Sequence, residues 1–177
     1  MKLLDLLHLI AKHYHERNRQ GLGRTKLLKL AYLAEVFYKR LTGRRLTGTD
    51  WIFWQYGPYV MDYPKILHSN AFVFEPNEGD FQAVLPAEDY PQSDVDMEPK
   101  IALLRAMDFA NENLNQLLDF VYFDTEPMTN AGIRGEKLDF DCVRPEDEYK
   151  VKELVLSKGS KQTIRKKIEA WKMHAKQ

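Results

Sequence analysis

The sequence predicts an α+β fold, mainly α: a compact helical domain around one buried central helix, about residues 25–42, with a small antiparallel β-hairpin or sheet. Three observations predict it. First, from Lys26 to Leu41 the chain is apolar on nearly every side, with Leu27, Leu28, Leu30, Ala31, Leu33, Val36 and Phe37 among its residues. At about 100° per residue, Lys26, Lys29 and Arg40 share one narrow polar stripe, and Glu35 and Lys39 lie roughly opposite. A single apolar stripe marks a helix lying on a core; apolar flanks on both sides mark a helix inside one. Second, Trp51, Phe53, Trp54, Tyr56 and Tyr59 crowd nine positions, and Gly57-Pro58 closes the run. Proline bars the helical region to its predecessor, so this run reads as an extended segment ending in a fixed turn against the helix. Trp54 is expected to pack on that helix. Third, Phe72 and Phe74 fall on one face, as do Phe81, Ala83 and Leu85, with the five residues 76–80 between them as a turn. That pattern is a β-hairpin.

The other elements follow in order. Leu3, Leu6, Leu7, Ile10 and Tyr14 recur at helical spacing, so residues 2–17 form an amphipathic helix with Lys12, His15, Glu16 and Arg17 outward. Residues 18–23 are a linker. Thr25 is the expected N-cap of the central helix and Gly43 its left-handed C′ residue. A short helix is expected over 62–68. Residues 86–98, acidic and proline-punctuated, read as a surface loop. Pro99 suits the first turn of a helix running to about Asn111, and Asn113 can cap the next, whose stripe is Leu114, Leu117, Leu118, Val121 and Tyr122. Residues 123–148 read as irregular with a turn near Pro127. Last, residues 160–176 read as a basic helix with Ile164, Ile168 and Trp171 on one face.

A chain of 177 residues suits a single domain, 1–177, and 44% apolar with 12% aromatic residues suffices for a core. No apolar run reaches the ~18 residues of a membrane helix, and Asp5, His8 and Lys12 interrupt the opening segment, which lacks a cleavage site for export. Cys142 is the only cysteine, which fits a reducing compartment. The expectation is a cytoplasmic protein without membrane contact. A net charge of zero conceals an asymmetry. Residues 1–50 carry 11 Lys and Arg against 4 Asp and Glu, whereas residues 75–99 carry 8 acidic residues and no basic one. Attraction between these faces within the fold explains the pattern, with steering of a charged partner as the alternative.

Lys26-Leu27, Lys29-Leu30 and Tyr32, then Leu41-Thr42-Gly43 with Leu46, then Trp54, Tyr56, Gly57 and Pro58 form an ordered set. Together they resemble the Panacea domain, the SocA-like antitoxin domain of bacterial and phage toxin–antitoxin systems. Thr125 to Met128, Asn130-Ala131 and Leu138 to Phe140 also resemble a segment found in part of that family, so the likeness spans about residues 3–140. Tyr59 departs from the pattern, where a small aliphatic residue usually follows Gly-Pro. The resemblance implies an antitoxin that binds a cognate toxin directly and blocks it. For SocA-like members it also implies an adaptor role that delivers the toxin to a protease complex.

The residues themselves favour binding over catalysis. His8, His13 and His15 lack the i, i+4 partner and the carboxylate of a helical zinc motif and read as solvated. Residues 21–26 lack the GxxxxGK[ST] spacing of a phosphate loop. Cys142 has no protease or redox context, and Glu126, Asp139 and Asp141 have no base or metal fixed beside them. No catalytic residue, cofactor or metal is assigned. A DNA-binding regulator is the alternative function, suggested by Lys26, Lys29, Arg40, Arg44 and Arg45 around one helix. Against it, the central helix is too apolar for a major groove and the acidic middle repels phosphate, so no specific nucleic-acid partner is expected. For protein binding the candidate residues are Tyr59, Trp51, Lys29 and Arg44. Lys26, Leu30, Tyr32, Gly43, Trp54, Tyr56, Gly57 and Pro58 are assigned to the structural motif.

Overall fold

A computed structural model of the chain describes residues 1–75, 82–91 and 94–146. In chain order the elements are α1 (Leu3–Asn18), β1 (Leu22–Gly23), α2 (Arg24–Thr42), β2 (Ile52–Trp54), β3 (Gly57–Tyr59) and α3 (Tyr63–Leu67). They continue with β4 (Phe72–Glu75), β5 (Ala83–Pro86), α4 (Met97–Met107), α5 (Leu114–Phe123) and α6 (Glu126–Thr129). This is the mainly helical α+β fold that the apolar central helix predicts. From Leu27 to Tyr38 every residue of α2 is buried, its polar ones included, because α1, α4 and α5 pack around it. The C-terminal helix expected over 160–176, the turn 76–80 and Phe81 lie outside the described residues.

Two antiparallel sheets flank the helices. The larger has strand order β1-β5-β4, with Phe74 opposite Val84 and Leu22 opposite Val84 across the other edge. The linker expected over 18–23 therefore contributes a strand. Gly21 permits its close approach, since a Cβ there would stand 2.7 Å from the Cβ of Ala83. The same strand moves the helix start: α2 opens at Arg24 with Gly23 in the cap position and no side-chain cap, so Thr25 is not the N-cap. Gly43 does end α2, at φ +72°, with its N–H on the Lys39 carbonyl at 2.8 Å.

The aromatic run is a hairpin rather than one extended segment. β2 and β3 pair with Ile52 opposite Tyr59 and Trp54 opposite Gly57, leaving Gln55 and Tyr56 as the loop. Gly57 holds φ +86°, and a Cβ there would meet the Tyr122 ring at 3.4 Å. That distance is ordinary contact for a Cβ, but a β-branched residue does not tolerate that torsion. Gly57→Val is expected to cost about 1–3 kcal/mol, read from a thermal melt; an unchanged melting temperature would show that the turn relaxes freely. The outer edge of β2 is covered by the segment after α6, where Phe53 N–H donates to the Glu136 carbonyl at 2.9 Å and Leu138 N–H to the Trp51 carbonyl at 2.8 Å. That segment is irregular, as expected from its composition, yet it sends Leu138, Phe140 and Val143 into the core.

Several polar side chains are more buried than their spacing suggests. His8 is 2% exposed, with Nε2 at 3.2 Å from the Ala87 carbonyl and its ring 4.6 Å from that of Tyr90. It is not solvated, because the chain after β5 covers that face of α1, and burial lowers its pKa. Glu35 is fully buried and accepts from Arg45 Nε at 2.8 Å, Leu46 N–H at 2.9 Å, Thr47 N–H at 3.1 Å and the Thr47 hydroxyl. It holds the loop after α2 in place. α4 begins at Met97, with Pro99 in its first turn as expected, and ends at Met107, short of Asn111, with turns leading to Asn113. Asn113 caps α5, accepting from Gln116 N–H at 2.9 Å.

Part of the charge asymmetry is taken up by ion pairs within the fold. Arg40 pairs with Glu126 at 2.8 Å, Arg44 with Glu98 at 2.8 Å, Lys39 with Asp141 at 3.5 Å and Lys137 with Asp50 at 2.6 Å. In three of these pairs a cation of α2 or its following loop meets an acid from the second half of the chain, and in the fourth Lys137 meets Asp50 of that loop.

Candidate functional site: an aromatic cleft beside the β2–β3 hairpin

A cleft of about 320 Å³ opens between the first turns of α2, the β2–β3 hairpin and α3. Arg24 and Lys29 enter from α2, Trp54 and Tyr56 from the hairpin tip, Tyr59 from β3 and Tyr63 from α3. Strand alternation sets the hairpin's faces. Phe53 turns toward Tyr122, edge-on with ring centroids 6.2 Å apart, so Trp54 turns to the other side. It is 40% exposed and Tyr56 68% exposed. Trp54 therefore does not wedge into the core as expected; it stands at the rim of the cleft. The large side chain that does fill the core is Trp51, edge-on to Tyr32 at 5.4 Å.

Lys29 lies at the meeting point of the two sequence motifs. Its Nζ donates to the Pro58 carbonyl at 2.7 Å, tying α2 to the Gly-Pro turn. The residue is 2% exposed, so the polar stripe of Lys26, Lys29 and Arg40 does not face water at this position: the hairpin lies over it. Burial lowers the Lys29 ammonium pKa to about 7. The ordinary lysine value governs the unfolded chain, so between about 7 and that value the unfolded state binds the extra proton and stability rises with pH. Lys29→Met is expected to remove up to about 1.4 kcal/mol per pH unit of slope across that window. Denaturant midpoints of both proteins between these limits measure it, and parallel profiles would mean that Lys29 keeps an ordinary pKa.

The remaining predicted residues are distributed around this cleft and the core. Tyr59 lines the cleft, half-buried and edge-on to Tyr63 at 6.3 Å. Arg44 is exposed and held by Glu98, away from the cleft lining. Lys26 donates from Nζ to the Ala110 and Glu112 carbonyls at 3.1 and 2.8 Å, fastening α2 to the turns after α4. Leu30 is core, and Tyr32 shares a 2.9 Å hydrogen bond with the Thr125 hydroxyl. Sequence reasoning missed Arg24 and Tyr63. Their link is tertiary: the Tyr63 hydroxyl donates to the Arg24 carbonyl at 2.6 Å, across 39 positions. Among the described residues no group of His, Cys, Asp and Glu side chains forms a metal cluster, and no helix is long and apolar enough to cross a membrane. Burial raises the Cys142 thiol pKa, which lowers its reactivity.

Residues 27–175 match the family described as "Antitoxin SocA-like, Panacea domain". Neither the curated proteins nor the solved structures yield a match. The match takes in α2 from Leu27 onward, the hairpin and the cleft's Lys29, Trp54 and Gly57-Pro58, and it covers most of the chain. The chain therefore belongs to the SocA-like, Panacea domain family of antitoxins of toxin–antitoxin systems.

Proposed function

We propose that this protein neutralises a cognate toxin by forming a direct stoichiometric complex with it, and that the β2–β3 hairpin tip is the principal contact. The observation that carries the reading is the exposed pair Trp54 and Tyr56 beside a concave surface. Tryptophan and tyrosine are the residue types that most often anchor protein interfaces, and a neighbouring pocket gives a partner's side chain somewhere to go. Family membership supplies the kind of partner. Chemistry on a substrate has no comparable support, because the buried titratable groups lie in structural hydrogen bonds: His8 to Ala87, Tyr32 to Thr125, Glu35 to the loop after α2. The DNA-binding alternative is weakened by the ion pairs that occupy Lys39, Arg40, Arg44 and Arg45, since a cation already paired releases fewer counterions from phosphate.

The test is co-expression with the product of the adjacent gene, followed by purification of both chains. Growth arrested by that product alone is expected to resume, and the two proteins are expected to co-elute at a fixed ratio. A harmless neighbour, or arrest that persists with both proteins made, removes the reading. An adaptor role adds one observable: the toxin's half-life falls when this chain is present and a protease is active. Sequence-specific protection of duplex DNA at physiological salt would favour the regulator instead.

A further inference from the structure

We propose that the cleft beside the hairpin is a receptor for an acidic side chain flanked by apolar residues, presented by an extended segment of the partner protein. The carboxylate meets Lys29 and Arg24, and the apolar flanks lie on Trp54 and Tyr56. This rests on the toxin-binding reading above and specifies what the partner must display.

Charge complementarity is the first ground. None of the residues lining the cleft is Asp or Glu, while Arg24, Lys29 and His68 all line it. Elsewhere Lys39, Arg40, Arg44 and Arg45 face carboxylates, at Asp141, Glu126, Glu98 and Glu35, and Lys26 donates to two backbone carbonyls. Here, among the described residues, Arg24 and Lys29 face none. Lys29 is buried with one carbonyl acceptor for three N–H donors. The shift of its pKa has burial as its cause, with no nearby charge opposing it. A buried ammonium without a counter-ion is costly, and a carboxylate arriving in a desolvated site offsets that cost. Arg24 adds a second unmet donor: its Nε is buried without an acceptor, while Nη2 is engaged by Gln82 and the guanidinium lies 4.7 Å from the Phe74 ring centre.

Shape is the second ground. A volume of about 320 Å³ suits a few side chains rather than a folded domain. Its mouth carries an indole and a phenol whose faces suit aliphatic flanks. The acid thus provides register and the flanks provide area.

Capped tripeptides separate this inference from the toxin-binding one, because no toxin is present. The full-length protein, labelled at lysine Cε and at the tryptophan indole, is titrated with Ac-Leu-Glu-Leu-NH2, with the neutral Ac-Leu-Gln-Leu-NH2, and with Ac-Leu-Gln-Leu-OH, whose only carboxylate is its terminus. The glutamate peptide is expected to shift the Lys29 and Trp54 resonances saturably and to bind about tenfold tighter than the glutamine amide. Its advantage should shrink above about pH 7, where Lys29 loses its proton. The other titratable side chains lining the cleft are Arg24 from the same helix, Tyr56 and Tyr59 of the hairpin, Tyr63 of α3 and His68 at its end, so the pH series is repeated in His68→Gln, where the decline is expected to persist. Lys29→Met should erase the preference. Should Lys29→Met fail to fold, Trp54→Ala serves, with both peptides weakened together. Equal binding of the glutamate and glutamine amides, or no shift by either up to about 10 mM, overturns the inference and leaves complex formation with the toxin untouched. Preference for the free-acid peptide overturns it too, by assigning the cleft to a chain terminus.

Discussion

Glu35→Ala is expected to cost about 3–5 kcal/mol of stability, a large share of the ~5–15 kcal/mol that holds a domain of this size. The carboxylate is fully buried within α2 and serves four donors: the Arg45 guanidinium, the backbone N–H groups of Leu46 and Thr47, and the Thr47 hydroxyl. Removing it leaves Arg45 Nε and the two backbone N–H groups without an acceptor, while the Thr47 hydroxyl keeps Thr49 Oγ1 at 2.9 Å. Arg45 is itself committed elsewhere, with its guanidinium 3.8 Å from the Phe140 ring centre and Nη2 donating to the Thr49 carbonyl at 2.7 Å. It cannot swing to water without abandoning those contacts. Removing both partners costs less than the sum of the single changes, because the orphaned cation is the larger part of the penalty. Glu35→Ala combined with Arg45→Met should therefore recover part of the loss while the two backbone donors stay unmet. Urea midpoints followed by circular dichroism measure both effects. A Glu35→Ala midpoint equal to that of the parent protein would show that water enters and satisfies the loop.

How far the sequence disclosed this arrangement depended on the range of the interaction concerned. The central helix was legible because apolar residues on all its sides admit one interpretation, a helix enclosed by others. Gly43 and Asn113 were legible because capping is decided within a few residues. The β1 strand was not, since two residues have no periodicity and Leu22–Gly23 becomes a strand only when β5 arrives from sixty positions away. Burial of Lys29, His8 and Glu35 was equally hidden. Each sits in a polar slot of a helical wheel, and what covers it, the Gly-Pro turn, the Ala87 carbonyl and the loop after α2, comes from elsewhere in the chain. The cleft itself depends on α3 meeting the start of α2, through Tyr63 and Arg24. Within the aromatic run, spacing identified a cluster but not the pairing of its strands, and the pairing decides which tryptophan faces inward.

That choice produces opposite outcomes for two residues three positions apart. Trp51 is 1% exposed and packs against Tyr32, which in turn touches Phe140. Trp51→Ala empties a site enclosed by α2 and the segment after α6, and should cost about 3–5 kcal/mol. Its Nε1 is buried without an acceptor, so Trp51→Phe discards an unmet donor along with part of the ring and should be milder than alanine. Trp54 stands at the cleft rim, with solvent already on one side. Trp54→Ala should change the melting temperature little, because less area returns to water and no closed cavity forms. It should weaken toxin binding by about 2 kcal/mol or more if the hairpin tip is the anchor. The two variants together separate fold from interface, by melts on the free protein and calorimetric titration against the toxin. Trp51→Ala should lose affinity only through the fraction of molecules that unfold, and lowering the temperature should restore it. Trp54→Ala should stay weak at every temperature where it is folded. If Trp54→Ala binds as tightly as the parent protein, the hairpin tip is not the contact, and the interface has to be sought on another face of the domain.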